Sequence, residues 1–281
     1  MTAHHAYSRD GAPVLGAFRM GLVPIDADQW LPDVEDASRR LAERASRLAA
    51  DPPAHHACPP AARDAARELF ALAVPDALVR GDVPEEPLLA LGERFVDDFC
   101  LVSDETPPRL RAALLTAASN WRLADKLDRD LTAIHAPVEG LETAIGERMR
   151  SFFERLPANR IFERRNWAFY DDGIDDRSTR PALASLAGVD GRDPAIADRI
   201  WLRTERQTLR RLPVSRWTVF TIRIDSQPLT HLARTPDRAR HLRAAMASLD
   251  DVERRARRVD LVGEGVDRWL RRVCEEAELC A

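Results

Sequence analysis

Lysine is nearly missing from this chain. Lys126 is the only one, and the rest of the Lys+Arg count of 42 is arginine. A GC-rich codon supply accounts for such a skew, and against it a retained lysine is a candidate for a specific role. Cysteine is scarce and scattered. Cys58, Cys100, Cys274 and Cys280 form no CxxC, so neither an iron–sulfur nor a zinc site is indicated within the chain. Reduced thiols and a cytoplasmic location are the default expectation. No run approaches the roughly 20 apolar residues of a membrane span, so no membrane partner is expected. The stretch MTAHHAYSRDGAPVL lacks the basic-then-apolar order of a secretory signal. No GxGxxG or GxxxxGK[ST] is present, which leaves a nucleotide phosphate loop unsupported. Positive charge is not in surplus either. A net charge of −4 gives no electrostatic support for nucleic-acid binding.

What is present reads as α+β. Residues 33–50 and 61–78 have helical spacing and helix formers, with Pro75 ending or kinking the second helix. DPPAHHACPP between them reads as a loop. Residues 88–116 mix signals, and strands around Thr106-Pro107-Pro108 are favoured over short helices. A short helix over 120–130 and an amphipathic one over 143–156 precede a strand at 161–170. The acidic excursion 171–193 is long enough to be a lid or a mobile surface loop. Helices fill 235–281, with Thr235 as N-cap and Pro236 at the first helical position. No linker splits the chain. A single domain over 1–281 is expected, with a helical extension at about 33–80, a core at about 88–229 and C-terminal helices from about 235.

The run from Leu202 to Leu229 predicts two strands joined near Pro213. The first carries charge where a plain strand carries Val and Ile. Alternation sets Arg203, Glu205 and Gln207 on one face, and Thr204, Arg206 and Thr208 on the other. A polar strand beside an apolar one predicts either a pocket wall or a solvated sheet face with cross-strand ion pairs. In a pocket, an arginine here stabilises charge on bound dioxygen, and a buried glutamate holds a cationic amine. Arg165, Asn166 and Trp167 add donors and an aromatic wall, or else pack a strand end. His135, in the stiff apolar string Ile134-His135-Ala136-Pro137-Val138, suits either a haem ligand or a buried structural histidine. His55 and His56, with Cys58 beyond, read as a metal candidate or as a solvated loop. Asp97-Asp98 reads as an acid/base pair or as a solvated edge.

The strings LRTERQTLRRLP and VFTIRID resemble the signature of the haem-dependent oxidative N-demethylase alpha-subunit family. FRMGLVPID, VDDFCLV, NWRLADKL, IHAPV and RRNWAF follow the same family order, from about Phe18 to about Leu229. The resemblance implies a PAS-like antiparallel sheet with flanking helices around haem b, extended by N-terminal helices. It implies oxidation of a small secondary amine by dioxygen, with electrons from reductase partner subunits that carry flavin and a 2Fe-2S cluster. His135 matches the family histidine and becomes the implied iron ligand. Lys126 matches the family lysine and, with Arg165, Asn166 and Trp167, is implied on the cofactor side. Arg203, Glu205, Arg206 and Gln207 match the charged strand and are implied to touch oxygen and amine. The sequence departs from the family string at Glu139, where a second proline is usual, and at TAASNW, where a Cys-Phe-Pro-Ser-like stretch is usual. A haem-based gas or ligand sensor and a haem-free binding protein are the other readings of the same scaffold.

Overall fold

A computed structural model describes residues 21–135, 147–179, 186 and 195–279. Among them run β1 (Val23–Ile25), α1 (Ala37–Ala50), α2 (Pro52–His55), β2 (His56–Ala57), α3 (Arg63–Ala73), α4 (Pro75–Arg80) and α5 (Pro87–Arg94). Then come β3 (Asp98–Val102), β4 (Leu110–Leu114), α6 (Leu123–Lys126), α7 (Leu131–His135), α8 (Glu147–Arg155) and β5 (Ile161–Tyr170). β6 (Trp201–Arg211), β7 (Thr218–Pro228), α9 (Pro236–Ala247), α10 (Asp251–Ala256) and α11 (Val259–Leu279) complete the order. The strands form one seven-stranded sheet in the order β1-β5-β6-β7-β3-β4-β2, every neighbouring pair antiparallel. The α+β class is as expected. No helix among the described residues is long and apolar enough to cross a membrane.

One face of the sheet is covered at both ends. At the β3–β4 end, Leu69, Leu88 and Leu91 from α3 and α5 pack on Phe99, Leu101, Leu114 and Val219. Gly92 permits the close approach of α5, since a Cβ there would collide with the side chain of Leu114. At the β5–β6 end, Trp167, Phe169 and Leu202 pack under α9 and α11 through Leu242, Met246, Val262, Val266 and Leu270. Burying these side chains is the main driving force for both layers. The other face, here the open face, carries Phe162, Arg164, Asn166 and Ala168 of β5. Paired with them in register are Leu209, Gln207, Glu205 and Arg203 of β6.

Several expectations need correction. DPPAHHACPP is not a loop. It forms α2, with Pro52 at the first turn and the Asp51 side chain accepting from Ala54 N at 3.3 Å, and then the edge strand β2. His55 is buried, with Nδ1 3.0 Å from the Leu115 carbonyl. Residues 88–94 belong to α5, and strands begin only at Asp98. Asp97 and Asp98 are both fully buried rather than solvated. Asp97 pairs with Arg223 at 2.5 Å, and Asp98 with Arg44 at 3.0 Å. The buried cation–carboxylate pairs explain why charge is tolerated there.

Candidate functional site

The open face divides into an apolar half and a polar half. The apolar half is built by β3, β4 and β7: Cys100, Leu110, Ala113, Ile222 and Ile224 pack with Leu123, Leu127 and Ile134. A second cluster joins Val102, Leu131, Phe153, Leu156 and Leu209. Phe220 touches both clusters and stays partly exposed.

The short helix α7 bridges those clusters, with Leu131 in one and Ile134 against the other. Its first turn is fixed by Asp130, whose Oδ1 accepts from Ala133 N at 2.9 Å. Leu110 N donates to Arg129 O at 3.0 Å, tying this segment to β4. At the other end the Lys126 ammonium donates to the Ile134 carbonyl. A cation on a terminal carbonyl favours a helix C-terminus. The lone lysine therefore holds the last turn before His135, which is the final residue of α7. The His135 side chain, and the segment 136–146 that follows it, lie outside the described residues. Burial holds the Lys126 pKa below its usual value, opposed by Asp125.

The polar half is centred on β6. Arg203 is buried, and each nitrogen of its guanidinium is engaged by the protein. It donates to Ser119 Oγ at 3.1 Å, the Ile174 carbonyl at 3.1 Å and the Ala117 carbonyl at 2.9 Å, and lies 5.6 Å from the Tyr170 ring centroid. Glu205 accepts from the Ser119 hydroxyl on one oxygen and from Gln207 Nε2 at 2.8 Å on the other. Ser119 thus links Arg203 to Glu205. Across the ladder, Asn166 faces Glu205 and accepts from Arg257 at 2.6 Å, while Arg164 faces Gln207. Arg257 arrives from the α10–α11 junction, which docks on the free edge of β5 through Phe169 N donating to Arg257 O at 3.1 Å. Burial pushes the Arg257 pKa down to about 10, opposed by Glu253.

The sequence-predicted residues are not all brought together. Arg206 projects to the covered face, where it donates to Glu163 at 2.7 Å and to the Trp30 carbonyl at 2.9 Å. There it ties residues 29–30 to the sheet and stands apart from Arg203. Arg165 is on the same covered face, 2.6 Å from Glu163. Trp167 is buried among the C-terminal helices, with Arg257 5.2 Å from its ring centroid. The proposed aromatic wall beside Asn166 is therefore divided: Asn166 faces the polar half and Trp167 does not. Period-2 alternation allows no other outcome in an unbroken strand. Ser119, Arg164 and Arg257 were missed. Arg164 was within reach of sequence reasoning, since it lies two residues before Asn166. Ser119 stands in TAASNW, where the sequence departs from the family string. Nothing in the sequence signals Arg257.

Among the described residues no group of three His, Cys, Asp or Glu side chains converges to hold a metal ion. Of two surface hollows among the described residues, the smaller borders the site through Ala117, Asp175 and Ile224, and the other lies elsewhere. The larger, about 260 Å³, is lined by Pro59, Glu105, Arg111, Asp128 and Trp217 among others. Residues 76–266, more than half of the chain, match the sequence model of a family described as haem-dependent oxidative N-demethylase, alpha subunit-like. A search of curated proteins finds no match.

Proposed function

We propose, for a chain that belongs to the haem-dependent oxidative N-demethylase alpha-subunit-like family, that the open face binds haem b and a small secondary amine. The proposed activity is oxidative N-demethylation of that amine by dioxygen. One oxygen atom ends in formaldehyde and the other in water, with two electrons and two protons delivered through reductase partner subunits. Flavin and a 2Fe-2S cluster are expected on those partners, because this chain has neither a phosphate loop nor a cysteine cluster.

The observation that carries this reading is Glu205, a part-buried carboxylate held by Ser119 and Gln207 beside an apolar half-face. A secondary amine is cationic at neutral pH, so a carboxylate fixed by two donors is suited to bind and orient it. Gln207 and Ser119 position the carboxylate, and Arg203 fixes Ser119 through its Nε. For a haem, the chain offers the partly open Phe220 as a ring contact; Leu110, Ala113, Ile222 and Ile224 around it are apolar but already buried against Leu123 and Ile134. α7 ends at His135 beside that half-face, and this residue would hold the haem iron through neutral imidazole. When bound, haem supplies the iron chemistry that activates dioxygen. The apolar residues exclude water from the same face. Lys126 acts through the α7 terminus as a positioning residue.

The test is a visible spectrum of the purified protein, followed by amine-dependent NADPH oxidation with the reductase partner present. A Soret band that is lost in His135→Ala, with formaldehyde released from dimethylamine, is the expected result. A protein that stays colourless after reconstitution with hemin refutes the reading. Haem and dioxygen binding without amine-dependent NADPH consumption replaces it with a sensor.

A further inference from the structure

We propose that Arg164 is a carboxylate-binding residue on the open face, an inference that rests on the haem-and-amine reading of that face. Arg164 lies opposite Gln207 in the β5–β6 ladder, on the same side as Glu205 and Asn166. Its cationic neighbours are already engaged, although the buried Arg257 Nε keeps no partner among the described residues. Arg203 is consumed by Ser119, Ala117 and Ile174, and Arg257 donates to Asn166. The Arg164 side chain makes no hydrogen bond or ion pair among the described residues.

Glu205 supplies only through-space attraction to Arg164, since both Glu205 oxygens are engaged by Ser119 and Gln207. Burial holds the Arg164 pKa below its ordinary value in spite of that attraction. Arginine nevertheless stays charged in proteins. A part-buried guanidinium with its donors free calls for a planar anion, and a carboxylate matches its fork with two parallel hydrogen bonds.

Two ligands bring a carboxylate to this face. One is a haem propionate. The other is the acid group of an N-methyl amino acid, whose ammonium sits on Glu205 while its carboxylate sits on Arg164. That second arrangement makes the substrate zwitterionic.

The experiment titrates the wild type, Arg164→Gln and Arg164→Lys with hemin and with hemin dimethyl ester, read by the Soret band. It then compares N-methylglycine with dimethylamine by calorimetry on the same proteins. A charge-assisted pair predicts a wild-type preference for one carboxylate form on the order of ten- to a hundredfold. That preference collapses in Arg164→Gln and returns in part in Arg164→Lys. Collapse of the acid-over-ester preference assigns the propionate, and collapse of the amino-acid preference assigns the substrate. Both preferences surviving in Arg164→Gln, or neither existing in the wild type, overturns the proposal. If the wild type takes up no hemin, the haem reading falls on its own, and calorimetry on the colourless protein still tests the role of Arg164. Arg164→Lys keeps the comparison interpretable if the glutamine variant unfolds.

Discussion

Replacing Ser119 by alanine removes one oxygen that serves two charged partners. The hydroxyl accepts from Arg203 Nε at 3.1 Å and donates to Glu205. Arg203 is 1% exposed, so water has little access to the abandoned Nε–H. An unsatisfied buried donor costs about 1–3 kcal/mol, and more for a charged group. Glu205 is part-buried and keeps Gln207, so water replaces the lost donor there at small cost. The expected net destabilisation is therefore about 2 kcal/mol, dominated by the Arg203 side. Urea unfolding of the wild type, Ser119→Ala and Ser119→Thr reads it directly: the alanine variant shifts the midpoint down at unchanged slope, and threonine recovers part of the loss. Amine affinity weakens in parallel, because Glu205 is no longer held from both sides. A destabilisation below about 0.5 kcal/mol with unchanged amine binding refutes the linkage, since that is the range of a surface substitution away from any special feature.

Three further outcomes are expected. Arg44→Met strips the ion pair from the fully buried Asp98 and leaves the carbonyls of Gly92, Val96 and Asp97 without their donor. Breaking a buried pair from one side costs about 3–5 kcal/mol, and equilibrium unfolding checks it. Burial lowers the His56 pKa below 6.5 against an opposing pull from Glu86, and its Nε2 has no partner among the described residues. The unfolded chain therefore binds the proton more readily. Stability contributed by neutral His56 is present above pH about 6.5 and is lost as pH falls through that value toward the lower folded pKa. His56→Gln flattens this acid limb of the stability profile, and an unchanged limb refutes the assignment. Lys126→Met frees the Ile134 carbonyl; hydrogen exchange at residues 131–135 accelerates and hemin affinity drops, with Lys126→Arg intermediate. Exchange that stays unchanged removes the positioning role.

What was legible from sequence follows the strength of local signals. β5 matches its expected bounds, and β6 and β7 fall where β-branched density and Pro213 set them. α3 stops before Pro75 because proline has no N–H to continue the ladder of helix bonds, and a new helix starts on it. The buried carboxylates were illegible because their partners are remote: Arg223 reaches Asp97 across 126 positions, and Arg44 reaches Asp98 across 54. α2 escaped notice because four residues carry no helical period.

The inward face of β6 was undecidable from its own residues, and the structure shows why. Alternation fixes only that Arg203 and Arg206 oppose each other; parity is set by what covers the neighbouring strands. β3 is no guide, since all five of its residues are buried. The decision comes from two layers far apart in sequence. α3 and α5 take the side of Phe99 and Leu101, and α9 and α11 take the side of Trp167 and Phe169. Register carries that same side to Arg206, which is sealed against residues 29–30. Arg203, Glu205 and Gln207 are thereby left on the face that has no helical layer of comparable extent among the described residues. α7 packs on that same face through Leu131 and Ile134. The side to which Arg203, Glu205 and Gln207 turn is thus set by helices packed on the opposite face of the sheet.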